Sequence, residues 1–151
     1  MKSYRESHLG EGKGAWYDAI HGRKVDSLIW DYFVKPRLTE VFAAAAASGS
    51  RSYLDFACGT GRILKVGSAY FETAVGIDVS PDMLVVARER VPAATFHCVD
   101  VTRSVDAVSG VFDCVSLFRF LLNAEPSLRL SVLEWIAAHT KPGAFLVGNH
   151  H

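Results

Sequence analysis

The chain has 151 residues, of which 50% are hydrophobic and 21% are charged, a composition typical of one globular domain with a substantial core. Its 16 basic and 16 acidic side chains give a formal net charge of zero when histidines are counted as neutral. Nucleic acid is therefore not favoured as a partner, because nucleic-acid binding depends mainly on the neutralisation of phosphates.

The predicted elements begin after a polar, glycine-rich segment that runs to about Gly14. Two helices are predicted over 25–34 and 36–47, and Pro36 suits the first turn of the second. Short apolar runs then alternate with helical stretches. The predicted strands are 52–57, 74–79, 95–99, 111–118 and 144–148, and the predicted helices between them are 61–71, 81–90 and 127–140. Lys141-Pro142-Gly143 predicts a turn into the last strand.

The alternation of strands and helices predicts an α/β fold with right-handed crossovers. The strands are apolar on both faces, which is typical of a buried parallel sheet. We expect a Rossmann-like, doubly wound, mostly parallel sheet of about five strands with helices on both faces. The sequence given ends at His151, where the fifth predicted strand ends.

A glycine-rich turn follows the first predicted strand, where residues 54–62 read Leu-Asp-Phe-Ala-Cys-Gly-Thr-Gly-Arg. Glycine allows backbone conformations that other residues avoid, and it lets a ligand approach the main chain. A phosphate loop would need a GxxxxGK string followed by Ser or Thr, which is absent. A dinucleotide-binding turn would use Gly59 and Gly61 but needs a small third residue, where Leu64 stands. A plain tight turn is the remaining simple alternative.

This segment resembles the first motif of class I S-adenosylmethionine-dependent methyltransferases, in which an acid is followed by small residues at alternate positions. The departure is Ala57, where the family usually has glycine, and we expect it to modify the loop rather than close it. The resemblance implies that Asp55 lies near the methionine amino group of the cofactor, directly or through water. It also implies that the loop binds the cofactor through Ala57, Cys58, Gly59, Thr60 and Gly61.

Two further acids end the second and third predicted strands. Asp78 can accept hydrogen bonds from both hydroxyls of a ribose, and nicotinamide enzymes use the same device. A helix cap is the alternative role of Asp78, since Ser80 and Pro81 open the next helix. By resemblance, Asp100 bonds the adenine amino group and the neighbouring Val101 contributes a backbone amide. We also predict that Val79 and Met83 bind the cofactor.

The fourth strand, with its aromatic-Asp opening at Phe112-Asp113, resembles the fourth motif of the family. Phe118 is expected to flank the adenine or the methyl group, and Arg119 or Asn123 to line the acceptor pocket. A core role for Phe118 and a solvated Arg119 are equally open. The catalytic residues are unassigned; His150 as a base and Asn123 as an orienting group are only candidates.

The resemblance predicts direct displacement of a methyl group from S-adenosylmethionine onto a small-molecule acceptor. Residues 1–50 are predicted to form a helical lid or cap, with Tyr17 and Trp30 among its aromatic residues, and residues 51–151 the cofactor-binding core. Strands six and seven of the family have no counterpart in this sequence, so the fifth strand is expected to be an exposed edge that supports a homodimer. A noncatalytic cofactor-binding or interaction module and, with less support, a nicotinamide-dependent oxidoreductase are the alternatives.

The remaining sequence features concern location and metals. The three cysteines, Cys58, Cys98 and Cys114, form neither a disulfide framework nor a paired zinc motif. The first residues have no continuous apolar stretch, and no apolar run is long enough to cross a membrane. We therefore expect a reducing, cytoplasmic location without membrane association. No histidine spacing is typical of a metal site, and we expect no metal.

Overall fold

The computed structural model describes residues 10, 12–21 and 24–149 of the chain. Within them, the parallel sheet contains β1 (Ser52–Phe56), β2 (Thr73–Asp78), β3 (Thr95–Cys98), β4 (Phe112–Leu117) and β5 (Thr140–Gly148), in the order β3-β2-β1-β4-β5. The helices are α1 (Lys13–His21), α2 (Lys24–Ile29), a π-helical turn (Trp30–Val34), α3 (Lys35–Ala47), α4 (Arg62–Gly67), α5 (Pro81–Arg90), α6 (Phe120–Asn123) and α7 (Pro126–Ala138). The predicted fold class and all five strands are confirmed.

The two faces of the sheet are covered by different helices, because neighbouring residues of a strand point to opposite sides. Tyr53 faces the side of α3 and α4, where its ring packs on Phe42 and Phe71. Leu54 and Phe56 face the other side, in the cluster that α7 completes with buried residues such as Trp135. The sheet is therefore buried on both faces, as its apolar strands predicted.

The N-terminal helices differ from the prediction at two points. The polar segment was predicted to end at about Gly14 and no helix was predicted before residue 25, so α1 was missed. A helix boundary was predicted between Val34 and Pro36, yet the helix continues through the π-helical turn. There the Lys35 N–H donates to the Trp30 carbonyl, and the wider turn delivers the chain to α3 with Pro36 in its first turn.

The turn predicted at Lys141-Pro142-Gly143 is wrong, because these residues lie inside β5. The chain is irregular here: Phe112 pairs with Thr140, but Cys114 already pairs with Phe145. Gly143 has a φ of 82°, which lets the strand bulge and continue. These residues are typical of a turn, but pairing with β4 makes them a bulge within β5 instead.

Asp113 ties the amino ends of three strands together. Its carboxylate accepts hydrogen bonds from the backbone N–H groups of Arg51 and Ser52, at 2.8 and 2.9 Å, and from Lys141 Nζ at 2.6 Å. Desolvation acts to raise the pKa of Asp113, but these donors outweigh it and hold the pKa well below its usual range. The start of the sheet is thus anchored by charge.

Among the described residues, no helix has the length and apolar character that crossing a membrane requires.

Replacement of Gly67 by alanine is expected to destabilise the fold. A methyl group at Gly67 would lie 2.3 Å from the Tyr53 ring, which is fully buried and has no free space to move into. Overpacking of this kind costs about 1–3 kcal/mol. Urea denaturation measures the loss, with Ser68→Ala, which removes a hydroxyl whose hydrogen bond is exposed, as the neighbouring control. Equal stability of the two variants would contradict the packing described here.

Candidate cofactor-binding site

A crevice opens at the carboxyl edge of the parallel sheet beside β1, where the order in which successive strands are added changes side. Strands β2 and β3 lie on one side of β1, and β4 and β5 on the other, which creates the switch point where open α/β sheets bind ligands. The crevice has two compartments of about 450 and 750 Å³. Ala57 lines both, so the glycine-rich loop separates them.

The loop after β1 turns sharply through three residues in the left-handed region. Ala57, Gly59 and Gly61 have φ angles of 54°, 54° and 76°. The loop is held to β2 by the Cys58 N–H, which donates to the Ile77 carbonyl at 2.9 Å. Since a left-handed conformation costs an L-residue about 1–2 kcal/mol, the geometry explains why glycine suits position 57 and shows that alanine is tolerated there with strain.

Asp55 is fully buried at the floor of the larger compartment. Its Oδ1 accepts a hydrogen bond of 2.5 Å from Ser116 Oγ, which lies 2.6 Å from the Tyr53 hydroxyl. Because the Ser116 hydroxyl donates its one proton to Asp55, it accepts from Tyr53. Among the described residues, Oδ2 of Asp55 has no partner. The desolvation that accompanies burial raises the pKa of Asp55 to about 7.

An unpartnered buried carboxylate oxygen is energetically unfavourable, and a cation in the crevice would satisfy it. The relay from Tyr53 through Ser116 holds the other oxygen in place. Ser116 was missed in the sequence, although a hydroxyl inside an apolar strand was a usable signal. The register that sets it opposite Asp55 is a long-range property of the sheet.

Asp78 holds the glycine-rich loop beside the start of α5, and the cap of α5 that the sequence left open as its alternative role is supplied by Ser80 instead. The Asp78 oxygens accept from the Gly59 N–H at 2.8 Å and the Ser80 N–H at 2.9 Å, while Ser80 Oγ caps α5 by accepting from the Met83 N–H. Asp78 also lines the smaller compartment. Binding of ribose hydroxyls by Asp78 stays a prediction.

The smaller compartment is mainly apolar. Its walls include Val79, Val99 and Val101, with Leu128 of α7 opposite and Asp100 at the rim. Asp100 Oδ1 accepts from the backbone N–H and the hydroxyl of Thr102. A flat, apolar slot with a carboxylate at its edge can hold an aromatic ring that carries an amino group.

The other predicted residues occupy different surroundings. Phe118 lines the larger compartment. Thr60 also lines it, but its hydroxyl is directed to Asp18 and Arg90. Cys58 and Met83 are buried, Cys58 in a cluster with Leu84 and Ala87, and Met83 is outside the linings of both compartments. Direct contact of each residue with a cofactor stays a prediction.

Residues from α1 and from the end of β4 meet over the larger compartment. Arg119 Nη1 donates to the Tyr17 hydroxyl at 3.0 Å, and its backbone N–H donates to Asn149 Oδ1 at 2.7 Å. Arg119 has a φ of 63°, an uncommon value for a residue other than glycine. Asn123 Nδ2 binds the Arg119 carbonyl, and Asn123 lines an outer pocket of about 1010 Å³. His150 lies outside the described residues.

Residues 54–143 match a family model described as a methyltransferase domain, which is more than half of the chain. The chain belongs to the class I S-adenosylmethionine-dependent methyltransferases. The chain has the expected sheet order, and its matched segment contains the glycine-rich loop and all three predicted acids.

Two curated relatives methylate amino sugars according to their names. The methyltransferase is 36% identical over 101 residues to a dTDP-3-amino-3,4,6-trideoxy-alpha-D-glucopyranose N,N-dimethyltransferase from Streptomyces venezuelae, covering 64% of this chain and 40% of the relative. It is 31% identical over 136 residues to a dTDP-3-amino-3,6-dideoxy-alpha-D-glucopyranose N,N-dimethyltransferase from Streptomyces fradiae, covering 87% and 50%. The chain thus spans about half the length of these relatives.

The fold is also similar to solved structures. One is an amino pentose methyltransferase from Micromonospora echinaspora, involved in calicheamicin biosynthesis and solved with S-adenosylmethionine bound; the TM-score is 0.71 at 27% identity, covering 89% of this chain and 55% of that one. A sugar N-methyltransferase from Streptoalloteichus gives a TM-score of 0.70 at 25% identity, covering 89% and 53%.

Replacement of Ala57 by glycine is expected to stabilise the methyltransferase by about 1 kcal/mol. The change removes the left-handed strain at φ 54°, and the greater freedom of glycine in the unfolded chain offsets part of the gain. Urea denaturation measures the change, and Ala69→Gly, at a position without positive φ, should give no gain. A loss of stability in Ala57→Gly would show that the loop is not strained.

Replacement of Asp55 by asparagine is expected to stabilise the ligand-free chain at pH 8 but not at pH 4. Between its ordinary pKa of 3.8 and the folded value of about 7, the folded state retains a proton that the unfolded state loses. Stability therefore falls as pH rises through this window, on the order of 1 kcal/mol per pH unit, and levels off above it. Asparagine cannot ionise and removes this dependence.

Urea denaturation from pH 4 to pH 8.5 measures this difference, and Asp106→Asn, at an exposed loop position, is the control. A stability difference between Asp55→Asn and the parent that does not change with pH would refute the raised pKa.

Proposed function

We propose that this chain binds S-adenosylmethionine in the crevice and transfers its methyl group to a small-molecule acceptor by direct displacement. The observation that carries the proposal is the unpartnered Oδ2 of the buried Asp55, placed beneath the glycine-rich loop of the larger compartment. S-adenosylmethionine carries an ammonium group that matches this oxygen in charge and in hydrogen-bonding capacity. Family membership and the sheet topology support the same cofactor.

Different residues of the crevice would bind different parts of the cofactor. Asp55 would bind the methionine ammonium, and Asp78 the ribose hydroxyls. Asp100 and Val101 would bind the edge of the adenine between the valines of the smaller compartment. When bound, the cofactor supplies an activated methyl group on its sulfonium.

The chain's own contribution is to orient the reactants and to exclude water. Phe118 lines the larger compartment beside Asp55, and Tyr17 and Trp30 line it from the N-terminal helices. We propose that the segment up to residue 50 is a lid or cap over the core that begins at residue 51. A covalent enzyme nucleophile is not needed, since the acceptor attacks the methyl carbon directly.

The acceptor is proposed to be the amine of a sugar-like small molecule. This proposal rests on the names of the curated relatives, which act on amino sugars. The outer pocket lies beside the larger compartment and shares Trp30, Arg62, Arg119 and Asn149 with it. These polar and aromatic groups suit a hydroxylated acceptor, and Asn123 is proposed as an orienting residue.

Cofactor binding without turnover is the second candidate function. It is favoured by one observation: the acids proposed to hold the cofactor all lie on β1 to β3 or directly after them, inside the matched segment. Binding therefore depends on fewer elements than catalysis does. A nicotinamide-dependent oxidoreductase has less support, since Leu64 is fully buried where a dinucleotide-binding turn needs a small residue.

Three further proposals concern partners and location. We propose that β5, an edge strand of the described sheet, mediates a homodimer; its Leu146 is 56% exposed. We propose a cytoplasmic location, supported by three cysteines that are all free thiols. The balanced charge supports a small molecule rather than nucleic acid as the partner.

Calorimetric titration with S-adenosylhomocysteine tests the cofactor assignment. The parent chain should bind it, Asp78→Ala should weaken binding at least tenfold, about 1.4 kcal/mol, and NADH should give no signal. Asp106→Ala is the control and should bind like the parent. Absence of binding by a folded chain, or binding of NADH instead, would overturn the proposal. Turnover of amino-sugar acceptors then separates catalysis from binding alone.

A further inference from the structure

The side chain of Thr60 leaves the glycine-rich loop and joins an ion pair. Thr60 is 2% exposed, and its hydroxyl donates to Asp18 Oδ1 of α1 at 2.8 Å. Arg90, the last residue of α5, donates from Nη1 to both the hydroxyl and the backbone carbonyl of Thr60, at 2.7 Å each. Its Nη2 forms a salt bridge with Asp18 Oδ2. We call Asp18, Thr60 and Arg90 the loop clamp.

The loop clamp is unlike an ordinary surface ion pair. The side chains of Arg90 and Asp18 are only 24% and 33% exposed, so solvent screens their interaction less than it screens the Arg37–Glu40 pair, which is 80% and 62% exposed. The donors and acceptors are also matched, because the one Thr60 hydroxyl donates to Asp18 and accepts from Arg90. The clamp joins three elements that are distant in the sequence.

A second contact brings the backbone of α1 close to the backbone of α5 at Gly14. A Cβ on Gly14 would lie 2.7 Å from the Asp82 carbonyl oxygen and 3.0 Å from Val86. This close backbone approach and the loop clamp together set the position of α1. Tyr17, next to Asp18, then reaches across the larger compartment to Arg119 at the end of β4.

We infer that Asp18 and Arg90 are positioning residues that couple the N-terminal helix α1 to the cofactor loop, so that α1 is a strap whose attachment controls retention of the cofactor. The clamp holds the Thr60 carbonyl, and with it the backbone between Gly59 and Gly61, while the same Asp18 holds Tyr17 over the crevice. This inference rests on the proposed function for its ligand. Its structural half, the coupling of α1 to the loop, does not.

Hydrogen exchange of the ligand-free chain tests the coupling. In Asp18→Asn, amides in 13–21 and in the loop 57–62 should both exchange at least fivefold faster, while β1 and β4 should be unchanged. Glu40→Gln removes a carboxylate that forms an ion pair with Arg37 within α3, and it should change neither segment. Faster exchange in α1 alone, or in neither segment, would overturn the inference, whether or not the chain binds S-adenosylhomocysteine.

Dissociation of S-adenosylhomocysteine, measured by stopped flow, tests the effect on retention. Asp18→Asn and Arg90→Gln should each raise the dissociation rate about tenfold, and the double variant should be no worse than the more affected single variant, because both break one unit. Asp18→Glu, which keeps the charge, should recover part of the loss. Additive effects of the two changes, or rates within twofold of the parent, would contradict the inference.

A third variant and the binding behaviour of the parent distinguish failure to fold from failure of the inference. If Asp18→Asn or Arg90→Gln fails to fold, Thr60→Val removes the loop hydroxyl while leaving the ion pair, and it should give the same pattern of exchange and dissociation at smaller amplitude. Failure of the parent to bind S-adenosylhomocysteine would refute the proposed function, whereas the exchange experiment would still decide whether α1 and the loop are coupled.

Discussion

The buried carboxylate of Asp55 is the constraint around which the crevice is arranged. One of its oxygens is held by Ser116, which is in turn held by Tyr53, and the other has no partner within the described residues. Such a group is tolerated only because the rest of the sheet is well packed on both faces. The fold thus supports an unfavourable site at the edge where a ligand can compensate for it.

The opposite edge of the sheet has the reverse character. Asp113 accepts from Ser52 of β1, from Arg51 just before β1 and from Lys141 of β5, so its charge is compensated within the protein. Asp78 differs from both: two backbone amides orient it, and it lines the smaller compartment. The three carboxylates thus differ in how far hydrogen bonds within the protein satisfy them, from Asp113 with several donors to Asp55 with one oxygen that has no partner among the described residues.

The sequence predicted the fold and the positions of the three crevice acids, because both follow from local patterns. Asp55, Asp78 and Asp100 each follow an apolar run, and parallel strands bring such ends to one edge. Ser116 and the loop clamp were not predictable in this way, since Ser116 is 61 residues from Asp55 and Asp18 is 42 residues from Thr60. The bulge at Gly143 escaped prediction for a related reason: a local turn signal was overridden by pairing with β4.

Gly14 has no side chain beyond a hydrogen atom, and this restricts which residues position 14 of α1 can accept. At this point the α1 backbone lies against the Asp82 carbonyl and the Val86 side chain of α5, so a side chain at position 14 would collide with both. The same geometry makes position 14 intolerant of larger side chains, so α1 keeps a fixed anchoring point beside α5 while Tyr17 extends from the same helix to Arg119.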